Sequence, residues 1–138
     1  MGVLIDTSVL IGHERGTLDL DRIAAEELRE RGDLPFFLSV ITVSELLHWA
    51  YRARDRLQRA RRRAFVEGVI DAFPLLSVDL MTARAHAELG AELAGRGAPI
   101  GTHDLWIAAT ALARGLDLVT LNVREFRRVP GLVVEVWG

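Results

Sequence analysis

The chain has 138 residues, half of them hydrophobic, 26% charged and with a net charge of −2, which fits one soluble domain able to bury roughly two-thirds of its unfolded surface without staples. It contains no Cys, so disulfides, thiolate nucleophiles and thiolate metal sites are excluded. All 17 basic residues are Arg; the absence of Lys excludes a Walker lysine, a Schiff base and the lysine of receiver-type phosphorylation sites, and any metal must be held by oxygen or imidazole.

The start, Met-Gly-Val-Leu-Ile-Asp, lacks the basic region and cleavage site of a signal peptide, and Asp6 stands where myristoylation wants Ser or Thr. No apolar run is long enough to span a bilayer. The expectation is a cytoplasmic protein with no membrane contact.

In chain order, Gly2–Asp6 reads as a short buried strand. Leu18–Arg31 has helical apolar spacing and Gly32 as its stop. Phe36–Ile41 is a second strand, and a helix is expected after Thr42 through Leu46, Leu47 and Ala50, with the Arg-rich stretch continuing helically toward Ala72. Leu75–Val78 is a third strand. Asp79 caps a helix running to about Arg96, and Thr102 caps another over 103–114 that Gly115 ends. Leu118–Leu121 and Leu132–Trp137 are the last strands. Strands alternating with helices imply right-handed crossovers and a mostly parallel five-stranded sheet covered on both faces, an α/β/α sandwich forming a single domain over 1–138.

In such a sheet the site lies beyond the carboxyl ends of the strands, near the reversal of strand order. Asp6 ends the first strand there, Asn122 follows the fourth, and Glu45 and Asp104 fall in the first turns of two helices. Each acid has an ordinary alternative. Thr42-Val-Ser-Glu45 is a capping box, and an anion in the first turn is favoured by the helix dipole, which covers Asp104. Asp6 is harder to dismiss, because a charge directly after Val-Leu-Ile needs a partner. Three carboxylates from separate elements repel one another unless a cation is bound, and hard divalent cations take oxygen ligands.

Four blocks carry a family resemblance: Asp6-Thr7-Ser8-Val9-Leu10, Ser44-Glu45-Leu46, Ile100-Gly-Thr-His-Asp104-Leu-Trp-Ile-Ala-Ala109, and Thr120-Leu121-Asn122 with Glu125-Phe126. In this order and spacing, over essentially the whole chain, they resemble PIN-domain nucleases, and more narrowly the VapC toxins of VapBC toxin–antitoxin pairs. The resemblance implies a PIN-like fold and a Mg²⁺- or Mn²⁺-dependent endoribonuclease, with a VapB-like antitoxin and a homodimer as partners. Asp6 and Asp104 then contact metal, and Glu45 does so directly or through water, activating water and offsetting charge on the scissile phosphate. Many relatives carry a fourth acid where this chain has Asn122, which can still hold a ligand water through its carbonyl. Glu125 is the nearest substitute, with a solvent-facing turn residue as the favoured reading. One metal or two stays open. Thr7, Ser8, Thr102 and Thr120 orient waters or phosphate, or serve as turn and cap residues.

His103 reads as a surface residue of a first helical turn. Seven Arg lie between Arg52 and Arg63, a pattern usual for a solvated helix face. Arg124, Arg127 and Arg128, just after the fourth strand, are the better candidates for guiding RNA. Trp106 reads as core or dimer contact, while Trp49 and Tyr51 are candidates for lining an apolar groove for a partner helix. No Asp-x-Asp follows the first strand, against an aspartyl phosphatase, and no Gly-rich turn stands there, against dinucleotide binding. The remaining rival is a PIN-like module that binds RNA or protein with little catalysis.

Overall fold

Val3, Leu4 and Ile5 form a run with no polar position, which a strand tolerates only when both of its faces are covered. In the computed structural model, which describes residues 2–138, all three are fully buried. They form β1 (Val3–Ile5), the centre of a five-stranded sheet with β2 (Phe36–Ser39), β3 (Leu75–Leu76), β4 (Asp117–Val119) and β5 (Val134–Glu135). The strand order is β3-β2-β1-β4-β5, and every pairing is parallel. The helices are α1 (Thr7–Glu14), α2 (Leu20–Arg31), α3 (Val40–Tyr51), α4 (Arg56–Ala72), α5 (Leu80–Gly95), α6 (Thr102–Arg114) and α7 (Val123–Phe126).

The alternation of strand side chains divides the core in two. Val3, Ile5 and Val119 pack with Leu10, Ile23, Leu46 and Val66 from α1 to α4. Leu4 and Leu118 face the other way, onto Leu89, Leu93, Ile107 and Phe126 from α5 to α7. The result is the expected three-layer α/β/α sandwich, parallel throughout. The chain builds outward from β1 to β3, then returns to add β4 on the other side of β1. Strand order therefore reverses between β1 and β4, whose carboxyl ends carry Asp6 and Thr120.

Several local expectations are corrected. Thr42 is not an N-cap: α3 starts directly after β2 at Val40, and the Ser39 hydroxyl caps it by accepting from the Ile41 N–H at 3.0 Å. Thr42 lies buried in the first turn, its Oγ1 without a partner. Thr102 is not a cap either, since Gly101 holds that position and α6 begins at Thr102. The Arg-rich helix does not continue unbroken from Trp49, because Asp55 caps a new helix by accepting from Gln58 N–H at 2.7 Å. Two helices, α1 and α7, were not anticipated. The first mixes three consecutive apolar residues with Thr7, Ser8, His13 and Glu14 and has no amphipathic stripe to read, and the second is a single turn. Gly115 ends α6 in the left-handed region, φ 65°, as expected of a glycine stop.

Candidate active site

Asp6 joins β1 to α1 without a loop, its N–H donating to the Val119 carbonyl at 2.9 Å. It is 3% exposed. Although it sits at the N-cap of α1, its carboxylate makes no capping bond. Instead Oδ2 accepts from Ser8 Oγ and Thr120 Oγ1, both at 2.7 Å. Those hydroxyls accept in turn from the N–H groups of Leu121 and Asn122 at 3.0 and 2.9 Å. Each hydroxyl spends its one proton on Asp6 and its lone pair on backbone, so the network has a single polarity. It ties the end of β1 to the end of β4 and leaves Oδ1 outside it.

Glu45 lies in the second turn of α3, so the capping-box explanation falls: the helix start is three residues too early for it. Its Oε1 accepts from Thr7 Oγ1 at 2.7 Å, and its Oε2 is 3.5 Å from His103 Nδ1. His103 is exposed in the first turn of α6, as expected, and faces this carboxylate.

Asp104 stands in the first turn of α6 and Glu125 in α7. Glu125 Oε1 accepts from Gly101 N–H at 2.6 Å, and Oε2 from Asn122 Nδ2 at 3.1 Å. Glu125 is therefore not the solvent-facing turn residue expected; it is half-buried and turned into the cluster. The signal that could have found it is the Asn122-to-Glu125 spacing, one helical turn on one face. Asn122 presents its Nδ2, also 3.4 Å from Asp104 Oδ2, rather than its carbonyl oxygen.

Burial pushes the Asp104 carboxyl up to about 7, reinforced by the negative charges of Asp6, Glu125 and Glu45. Glu125 is held below its ordinary value, first by the Gly101 N–H and then, against some desolvation, by Asn122. The two shifts are complementary: Glu125 has N–H donors for its charge and Asp104 has few, so a proton shared between them rests on Asp104.

Thus the chain brings Asp6, Glu45, Asp104, Asn122 and Glu125 to one rim, with Thr7, Ser8 and Thr120 orienting two of the acids. Thr102 is exposed and has no such bond. Arg124 and Arg127 are exposed on and just beyond α7, while Arg128 donates to the Pro99 carbonyl at 3.1 Å. Trp106 is half-buried and stacked on His86 at 3.5 Å. The Trp49–Tyr51 pair does not form an apolar groove. Trp49 is 4% exposed with Arg62 over its ring, and Tyr51 has Arg63 over its own. The apolar groove lies instead between α1, α2 and α4, about 310 Å³, against Leu20, Phe65 and Phe73.

Among the described residues, no three His, Asp or Glu side chains converge into a ready cage for an ion. A fit to a hard cation does not need one, since Mg²⁺ keeps several waters and takes one or two direct carboxylates. The donor set is all oxygen, and the part of the Asp104 shift that comes from its anionic neighbours is repulsion a cation would relieve.

The fold and the ordered carboxylates define a class, and the PIN domain family matches residues 3–132. The chain belongs to the PIN-domain family. Within it the chain is of the VapC type. It is 35% identical over 134 residues to Ribonuclease VapC1 of Rickettsia felis, covering 97% of this chain and 95% of the relative. It is 39% identical over 112 residues to the tRNA(fMet)-specific endonuclease VapC of Salmonella typhimurium, covering 81% and 85%. The crystal structure of DNA-bound VapBC from Salmonella typhimurium superposes with a TM-score of 0.85 at 33% identity, over 100% of this chain and 99% of that one. VapBC-5 from Mycobacterium tuberculosis gives 0.73 at 36% identity, over 98% and 95%.

Proposed function

We propose that this protein is a Mg²⁺- or Mn²⁺-dependent endoribonuclease acting as the toxin of a type II toxin–antitoxin pair. The observation that carries the proposal is the meeting of Asp6, Glu45, Asp104 and Glu125 at the β1/β4 reversal, with Asp104 driven up by burial and then by its anionic neighbours. Ribonuclease relatives of matching length support the activity.

Asp6 and Asp104 hold the metal, Glu45 directly or through a water. When bound, a divalent cation supplies Lewis-acid activation of water and offsets charge on the scissile phosphate. The chain's own part is orientation. Ser8 and Thr120 fix Asp6 through Oδ2 and leave Oδ1 for the ion. Thr7 fixes Glu45 through Oε1 and leaves Oε2. Glu125 supplies the fourth acid that Asn122 does not, one helical turn later. With Asp104 poised near neutrality, a divalent cation held there would compete with its proton.

VapBC-5 from Mycobacterium tuberculosis is a member of the VapBC family of toxin–antitoxin systems, which supports a VapB-class antitoxin as partner. The homodimer expected from the resemblance and the cytoplasmic setting expected from the sequence belong to the same proposal. The second reading, an RNA- or protein-binding module with weak catalysis, draws on the neutral Asn122.

The test is cleavage of purified tRNA and total RNA with Mg²⁺, with Mn²⁺ and with EDTA. Initiator tRNA comes first, because the Salmonella typhimurium relative is named for tRNA(fMet). Cleavage that appears with either ion and stops in EDTA is expected. Undiminished cleavage in EDTA overturns the metal mechanism, and no cleavage under any condition favours the binding module.

A further inference from the structure

Glu45 and His103 are shared by two adjoining clefts. One, about 300 Å³, contains Asp104. The other, about 280 Å³, runs from Thr7 and Glu45 to Arg15, His48 and Arg52. Arg15 follows the last residue of α1 and Arg52 the last of α3, so both guanidiniums stand at helix carboxyl ends. The helix dipole accounts for cations in those places, but not for their unspent donors. Among the described residues neither side chain has a hydrogen-bond or ion-pair partner. Two arginines of the run that Arg52 opens are used internally: Arg59 donates to the Ala53 carbonyl at 3.1 Å, and Arg62 to that of Trp49 at 2.9 Å.

A rim of four carboxylates repels a polyanion, and phosphate contacts supply most of the affinity for nucleic acid. A guanidinium presents a planar fork of donors suited to phosphate oxygens. The second cleft is at the small end for a ligand site, matched to a sugar–phosphate unit rather than to a duplex. We propose that Arg15 and Arg52 grip backbone phosphates of single-stranded RNA next to the scissile one, leading the strand across Glu45 into the carboxylate site. The RNA track then runs over the carboxyl ends of α1 and α3, not over Arg124, Arg127 and Arg128, one of which is already tied to Pro99. This rests on the nuclease reading above.

The experiment titrates labelled initiator tRNA into the full chain in EDTA over a salt series, and measures Mg²⁺-dependent cleavage in parallel. Arg15→Gln/Arg52→Gln is expected to weaken binding about 10- to 100-fold and to flatten the salt slope by about 1.4, roughly 0.7 for each lost phosphate contact. KM rises with it, while kcat at saturation stays within about twofold. Arg15→Lys/Arg52→Lys keeps the salt slope, and Arg124→Gln/Arg127→Gln stays within about threefold of the parent. Parental affinity and KM in the folded Arg15→Gln/Arg52→Gln variant overturn the track, as does the larger loss falling on the Arg124 pair. Intact RNA binding with lost binding of a VapB-class antitoxin also overturns it, assigning the cleft to a protein partner. A parent that binds tRNA through these arginines but never cleaves it supports the track while defeating the nuclease reading. A parent that binds no RNA defeats both.

Discussion

The seven helix starts of this protein fall into two groups. Four of them, α2, α3, α4 and α5, are each capped by a side chain, from Asp19, Ser39, Asp55 and Asp79. At the rim, α1, α6 and α7 start at Asp6, Gly101 and Asn122 with no side-chain cap. The difference is not a lack of polar groups, since Asp6 and Asn122 are both good capping residues. At the rim those groups are turned on one another: Asp6 onto two hydroxyls, Asn122 onto two carboxylates. Capping satisfies a helix and then has nothing left to offer; the rim leaves carboxylate oxygens in reserve. Local stability has been given up where chemistry is needed.

Breaking the rim has the largest expected effect. Asp6→Ala and Asp104→Ala each lower cleavage by roughly two to four orders of magnitude while the circular-dichroism spectrum stays native. Activity retained by either variant assigns the chemistry elsewhere.

The reserve also has an energetic sign. Asp104 has a folded pKa of about 7 against roughly 3.9 unfolded, so between those values the folded chain binds the extra proton. Metal-free stability accordingly falls as pH rises from about 4 to about 7, and the full cost is present above. Discounted for a carboxyl still partly open to solvent, Asp104→Asn should therefore raise metal-free stability by on the order of 1–2 kcal/mol at pH 8 and leave it nearly unchanged at pH 4. Excess Mg²⁺ should close the gap at pH 8. Denaturant melts at the two pH values check this; a gap that does not narrow at low pH shows that the ionised Asp104 carboxylate is not its source.

Loosening a carboxylate without removing it is a smaller perturbation. Thr120→Val leaves Asp6 with one hydroxyl and should cost about 1–2 kcal/mol. Its cleavage should fall about tenfold or more, with the metal dependence shifted to higher concentration. Thr7→Val tests Glu45 in the same way, read from the metal titration.

The smallest effect sharpens the comparison from the other side. Asp19→Ala removes an ordinary cap and should cost about 1 kcal/mol of stability with cleavage unchanged. If it reduces cleavage as Thr120→Val does, the two groups of helix starts are not functionally distinct.

The sequence by itself determined the layered parallel fold, because Val3–Ile5 and the amphipathic helices have no other way to bury their apolar faces. It also determined which rim carries Asp6 and Asp104, since carboxyl ends of parallel strands lie together. Pattern left a capping box as the ordinary alternative for Glu45 and favoured a turn residue for Glu125. Both local readings fail for one reason: a cap or turn is readable over four residues, whereas these side chains answer to partners 38 and 24 residues away, Thr7 and Gly101. Only the tertiary structure decided that the helix capped by Ser39 begins too early for Glu45 to cap it, and that Asn122 and Glu125 close on Asp104. The physical reason is that charge repulsion and hydrogen-bond direction act across the fold, over distances that sequence spacing does not encode.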